Sequence, residues 1–379
     1  MTTIENDSHI HICGKRIITS ILVRGKTVYG RLFVKVKKLI STVVAAFLAL
    51  GSLTACSSAG AKGNDKIKIV TTIFPEYDWV MNVLGENPAG ADVTLLLDNG
   101  VDLHSFQPTA TDIMKISSCD LFVYVGGESD DWVEDALKEA TNKDMIVINL
   151  LEVLGDKVKE EEVVEGMQGE DEDHDHDHED HDEDHDHEDH EHEHHHEEGE
   201  IEYDEHVWLS LRNAQVLVQS ISDAIQKIDA ANAATYKKNS DSYIESLKSL
   251  DNDYKAVVDA ASNKTILFGD RFPFRYLVDD YGLTYFAAFV GCSAESEASF
   301  ETITFLSKKV DELKLPVVLT IEGKDHRIAE TIVQNTASKD QKIMTLDSMQ
   351  STSTADYKGG TTYLSIMKDN LSVLTEALK

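Results

Sequence analysis

The chain holds sixteen histidines, and only three of them, His104, His206 and His326, lie outside the N-terminal extension and an acidic tract. His104 sits in Gly100-Val101-Asp102-Leu103-His104-Ser105-Phe106-Gln107-Pro108-Thr109, and His206 in Asp204-Glu205-His206-Val207-Trp208-Leu209. Imidazole and carboxylate together are the donor set for a divalent transition metal. Asp347, in Leu346-Asp347-Ser348, follows an apolar run and is a third candidate donor, with a helix cap as the competing reading. The tract at 171–198 adds eleven histidines, mostly alternating with carboxylates: His174, His176, His178, His181, His185, His187, His190, His192, His194, His195 and His196. Such a composition buries no core, so a disordered loop with several weak auxiliary sites is expected.

The elements that must position these residues are legible from periodicity. Residues 66–73 alternate and are rich in β-branched types, which predicts a strand. A helix at 76–84 follows, then strands at 92–97, 121–125 and 145–149 interleaved with helices at 112–117 and 132–140. From 213 to 261 the period becomes 3.6, predicting a helical hairpin whose second arm joins two lobes. Alternation resumes with strands near 265–268, 285–289, 317–320 and 343–346, and a last helix at 363–378. The expected fold class is therefore α/β, with mainly parallel sheets flanked by helices in two lobes, a long connecting helix, and a ligand site in the inter-lobe cleft. The domain reading is 66–232 for the first lobe with a loop at 160–203, 233–262 for the linking helix and 263–379 for the second lobe. His104, His206 and Asp347 all fall at strand or loop ends, where side chains can converge.

The bulk numbers agree with cation binding. Formal charge is −34, and residues 160–205 alone hold 26 Asp and Glu with no Lys or Arg. No basic face is left for phosphates, so nucleic acid is excluded as a partner. Residues 1–55 read as a targeting region, with Lys35, Lys37 and Lys38 ahead of a short apolar run at 39–50. Leu53-Thr54-Ala55-Cys56 resembles a bacterial lipobox, which makes Cys56 the expected lipidated residue and 56–65 a tether. With an extension at 1–33 that is odd for a signal peptide, a natural start nearer Val34 is the expectation. Cys119 and Cys292 are read as small buried hydrophobes, with a disulfide between them left open.

The decapeptide around His104 resembles the G-x-D-P-H-x-Y-x-P-T motif of the zinc/manganese solute-binding proteins of ABC transporters, and Asp204-Glu205-His206-Val207-Trp208-Leu209 resembles their D-P-H-x-W-L motif. The C-terminal stretches VVLTIEGKDHRIAETIVQ, IMTLDSM and GGTTYLSIMKDNL are similar to that family's second lobe, and a His-rich insert before the second motif is typical of its zinc-handling members. The resemblance covers residues 66–379. It implies a monomeric, lipid-anchored, extracytoplasmic protein that carries Zn²⁺, with Mn²⁺ as the alternative cargo, to a membrane permease. It also implies His104 and His206 as ligands from the first lobe and Asp347 as one from the second. The family's third ligand position falls on Arg271, which stays protonated and cannot ligate. Asp270 beside it is the expected substitute, with a salt bridge to Arg271 as its alternative role and Glu76 in reserve. His326 is expected at the surface.

An enzyme is the first rival, but the sequence has no H-E-x-x-H, G-x-S-x-G or phosphate-binding glycine loop. A metal-buffering or adhesive lipoprotein is the second.

Overall fold

The computed structural model describes residues 66–168, 202–293, 297–323 and 325–379, and these form one compact unit. Cys56, the targeting region and the tract histidines lie outside the described residues. The first half is a four-stranded parallel sheet in the order β2-β1-β3-β4. Its strands are β1 (Lys68–Thr71), β2 (Asp92–Leu95), β3 (Leu121–Tyr124) and β4 (Ile146–Asn149). Helices α1 (Phe74–Leu84), α2 (Ala110–Ser117), α3 (Trp132–Lys138) and α4 (Leu150–Leu154) connect and cover them. Continuous apolar runs such as Leu121-Phe122-Val123 are fully buried, as a sheet covered on both faces requires.

Two long helices follow, α5 (Leu211–Ile228) and α6 (Ala233–Ala260). In α5 the buried residues Leu211, Ala214, Leu217, Val218, Ile221 and Ile225 recur at three- and four-residue steps and form one face. Ser210 caps it, its hydroxyl accepting the Asn213 N–H at 3.0 Å. The α6 stripe combines tyrosines with aliphatic residues: Tyr236, Tyr243, Leu247, Leu250, Tyr254 and Val258. This helix is fastened at both ends. Asn239 donates to the Val83 carbonyl at 3.0 Å and Tyr243 to Asp78 at 2.9 Å, while further along Tyr254 donates to the Met367 carbonyl at 2.6 Å.

The second half carries parallel pairs rather than one long sheet. β5 (Thr265–Leu267) pairs with β7 (Thr284–Phe286), β6 (Arg271–Phe272) with β8 (Phe289–Val290), and β9 (Val317–Thr320) with β10 (Lys342–Thr345). A bridge from Phe268 to Leu319 links the first and last pairs. Helices α7 (Arg275–Tyr281), α8 (Phe300–Leu313), α9 (Arg327–Asn335), α10 (Thr354–Lys358) and α11 (Tyr363–Ala377) complete the chain. The β6–β8 pair was not foreseen: Pro273 and two residues per strand give too short a signal for any period.

Glu76, the reserve metal donor, is fully buried at the turn from β1 to α1. Its Oε2 accepts the Thr72 N–H at 2.8 Å, the Thr72 hydroxyl at 3.1 Å and the Ile73 N–H at 3.3 Å, so it closes this turn instead of facing a ligand. Burial pushes its carboxyl up to about 8, against the Thr72 N–H and with further repulsion from Asp130. The folded protein thus keeps a proton that the unfolded chain releases near 4.5. The stabilisation is full below that lower value and is lost as pH rises towards 8. In urea titrations between about pH 5 and 8, the wild type should lose about 1 kcal/mol more per pH unit than Glu76→Gln. Parallel pH profiles for the two proteins would contradict this assignment.

Candidate metal centre

Beyond β2 the chain reaches a 3₁₀ turn, Leu103–Ser105, whose preceding Asp102 accepts the His104 N–H on Oδ1 at 3.1 Å. That cap aims the His104 ring inward. Its Nδ1 lies 2.8 Å from Ser129 Oγ and 3.5 Å from Glu205 Oε2. Glu205 in turn accepts the Ser129 N–H at 2.9 Å, and its Oε2 beside Nδ1 can only accept, which favours the proton on Nδ1. The His104 Nε2 lone pair is therefore free to ligate. Gly127 makes room for this arrangement: its φ is +86°, and a Cβ there would stand 2.3 Å from Glu205 Oε1.

His206 opens a second 3₁₀ turn, Val207–Leu209. One oxygen, Asp204 Oδ1, accepts both the His206 N–H at 2.8 Å and the ring Nδ1–H at 3.1 Å. A carboxylate oxygen accepts hydrogen bonds, so here too the lone pair sits on Nε2. Tyr276 steadies Asp204 by donating to its carbonyl at 2.7 Å. The ring is wholly buried, with the Trp208 ring 5.2 Å away.

The two Nε2 atoms face each other at 3.3 Å. Lone pairs so placed repel unless an electrophile, a proton or a metal cation, stands between them. Burial, His206 and Arg271 hold His104 down to about 3 against the pull of Asp102. Burial also acts to lower His206, but Asp204, Glu205 and Asp102 outweigh it and hold that ring above its ordinary value. A divalent cation between the two rings would take up both lone pairs.

The second half closes on this pair. Arg271 on β6 donates to Asp102 at 2.8 Å and to the Ser293 carbonyl at 3.3 Å, which ties the turn carrying His104 to the loop after β8. Burial raises the Asp102 carboxyl, but Arg271 and His104 prevail and hold it below the usual range. Gln350 also reaches in. A carboxylate only accepts, so the amide turns its NH₂ to Asp102, at 2.7 and 3.0 Å from the two oxygens. In that orientation its carbonyl oxygen lies 3.4 Å from His206 Nε2.

Among the described residues, neither Asp270 nor Asp347, the expected donors of the second half, belongs to the group of ligand atoms within 4.8 Å that includes His104 and His206. Asp270 accepts the Arg271 N–H at 2.9 Å on one oxygen and the Ile321 N–H at 3.2 Å on the other, so its carboxylate is engaged by backbone. Arg271 pairs with Asp102, not with Asp270. Asp347 accepts the Met349 N–H at 2.8 Å, and its own peptide is bracketed by Asn370. It shapes the turn after β10, and burial beside Glu322 raises its carboxyl to about 7. His326 precedes α9 and is half-buried rather than at the surface. Among the described residues, the group that could ligate one ion is His104, His206 and Cys292, whose ligand atoms all lie within 4.8 Å of one another. Cys292 is half-buried rather than the buried hydrophobe expected from sequence, and it and Cys119, which packs against Met145, are both free cysteines.

Sequence reasoning overlooked Cys292, Gln350, Asp204 and Glu205. The pair Asp102-x-His104 and Asp204-x-His206 repeats one spacing, an acid two residues before each ring, and that repeat was the available signal. Nothing comparable marks Cys292 or Gln350.

A profile of the family described as zinc-uptake complex component A, periplasmic, matches residues 69–377. The chain belongs to this family. Relatives of the zinc-uptake component A family include the zinc-binding protein AdcA of Streptococcus pyogenes, 31% identical over 89% of this chain and 60% of that protein. The chain thus spans about 60% of the length of these streptococcal relatives. The high-affinity zinc uptake system protein ZnuA of Bacillus subtilis is 31% identical over 89% of this chain and 96% of its own length. The crystal structure of the Zn(II)-bound ZnuA-like domain of Streptococcus pneumoniae AdcA superposes with a TM-score of 0.61 at 27% identity, covering 83% of this chain and 99% of that one. These neighbours share the α/β architecture with parallel sheets flanked by helices.

Proposed function

We propose that this chain is the extracytoplasmic, high-affinity zinc-binding component of an ABC importer, handing Zn²⁺ to a membrane permease. The observation that carries the reading is the pair of opposed Nε2 lone pairs, each fixed by its own acidic partners and presented by separate turns of one buried site. Membership of the zinc-uptake component A family, and relatives named for zinc binding and zinc uptake, support zinc over manganese as cargo. The same relatives are named for binding and uptake rather than for catalysis, which supports a carrier over an enzyme.

Within this reading His104 and His206 are ligands, while Asp347 and Asp270 hold the loops around them. Residues 66–232 and 263–379 act as lobes joined by the helix at 233–262, and the cargo sits between them. Cys56 carries the lipid anchor at the start of the mature chain, a role consistent with the lipoprotein relative in Streptococcus pneumoniae and checked by mass spectrometry of that N-terminus. The histidines of the tract serve as weak auxiliary sites, and the protein works as a monomer. Uptake by cells lacking the gene tests the proposal. Such cells should accumulate zinc poorly in depleted medium and recover with the wild-type gene. Unchanged zinc uptake would instead favour the buffering or adhesive lipoprotein.

A further inference from the structure

We infer that Cys292 is a third ligand of the cation held by His104 and His206, and that its thiolate sets the preference of the site. The inference rests on the reading of the histidine pair as the cargo receptor. Tetrahedral zinc bound at about 2.0–2.1 Å to two imidazoles holds the nitrogens about 3.3 Å apart. The His104 and His206 Nε2 atoms already stand at 3.3 Å. Cys292, on the loop that leaves β8, completes a group in which Sγ and one ring nitrogen of each histidine all lie within 4.8 Å of one another, so donors converge from three separate segments.

The surroundings hold the cysteine there. Its N–H donates to Glu161 Oε1 at 3.2 Å, which ties the loop to the first half. Gly291 lets that loop lie directly on the His206 ring: a Cβ at 291 would come 3.1 Å from His206 Cε1 and 3.0 Å from the Phe272 carbonyl oxygen. Cys292 and His104 also line a chamber of about 290 Å³ whose other walls include Glu128, Glu161, Glu202 and Glu205. Carboxylates along that chamber attract cations and carry them to the thiol and His104 together.

Binding involves no redox step. The thiol loses its proton as the S–metal bond forms, and the electron pair of the S–H bond becomes the donor pair. The proton leaves to solvent in the chamber that Cys292 lines. A thiolate beside two imidazoles suits zinc and softer cations, whereas manganese favours oxygen donors. The site is thereby assigned to zinc-like cargo by a residue from its second half.

The test uses the full-length chain stripped of metal and titrated with Co²⁺. The wild type should show a near-ultraviolet thiolate-to-cobalt charge-transfer band at one equivalent, and Cys292→Ser should lack it. In chelator competition Cys292→Ser should lose at least about 10-fold in zinc affinity, while its manganese affinity stays within 3-fold of wild type. X-ray absorption of the zinc-loaded wild type, which needs no variant to fold, should show one sulfur at about 2.3 Å. A zinc shell of nitrogen and oxygen alone, or the same cobalt spectrum in both proteins, overturns the cysteine assignment. His104→Ala separates the two claims: its retention of wild-type zinc affinity would overturn the receptor reading itself, whatever Cys292 does.

Discussion

Replacing His206 by alanine is expected to abolish high-affinity zinc binding, and His104→Ala to do the same. Each removes one of two nitrogens 3.3 Å apart, and each also takes a hydrogen-bond partner from Asp204 or Ser129. Without His206, Asp204 Oδ1 loses its ring donor in a site with no solvent to replace it. Without His104, the Ser129–Glu205 pair loses its Nδ1 donor. Changes in such supporting partners typically cost roughly 10–100-fold in metal affinity, so loss of a ligand should exceed about 100-fold. Asp204→Asn, which keeps the shape and removes the charge, should fall inside that lower range. Competition against a chelator of known zinc affinity gives all three values. Wild-type affinity in either histidine variant would remove that residue from the site.

Trp208→Ala should be strongly destabilising while leaving every proposed ligand in place. The indole is 1% exposed and packs beside His206. Its Nε1–H donates to the Ser348 carbonyl at 2.9 Å, and its own carbonyl accepts the Tyr363 hydroxyl at 2.6 Å. The residue thus joins the turn of the second histidine motif to the turn after β10 and to α11. Truncation of a buried tryptophan costs about 3–5 kcal/mol through lost burial and the residual cavity. Here a buried carbonyl also loses its donor, which adds about 1–3 kcal/mol. Trp208→Phe keeps most of the volume and should show mainly the second cost. Urea unfolding of the metal-free protein measures both, and a loss under about 2 kcal/mol for Trp208→Ala would mean that the site collapses around the gap. Zinc affinity should fall with stability, because the same indole supports the His206 ring.

Much of this was legible in the chain. Strand and helix positions in the first half followed from long runs with one period, and the hairpin of α5 and α6 from an unbroken 3.6 repeat. His104 and His206 stood out because so few other histidines occur outside the tract and the extension. The second-half side of the site was not legible, for a physical reason. Asp347 and Asp270 carry the right chemistry, but what they do depends on which backbone N–H groups their turns present, and that is settled only in three dimensions. Cys292 was concealed in the opposite way. A single thiol among apolar residues reads as core, and only the approach of Gly291 to the His206 ring reveals what it faces.

The α6 helix has a mechanical consequence. Twenty-eight residues make a rod about 42 Å long. It is pinned to α1 through Asn239 and Tyr243 and to α11 through Tyr254, whose ring also stacks on Tyr281 at 5.3 Å. A beam clamped at both ends is a poor hinge, since bending it breaks buried tyrosine hydrogen bonds before it opens any cleft. The contact between Arg271 and Asp102 at the edge nearest His104 is made by loop and short-strand residues instead, its side chains about a quarter exposed, and is expected to give way before the frame does.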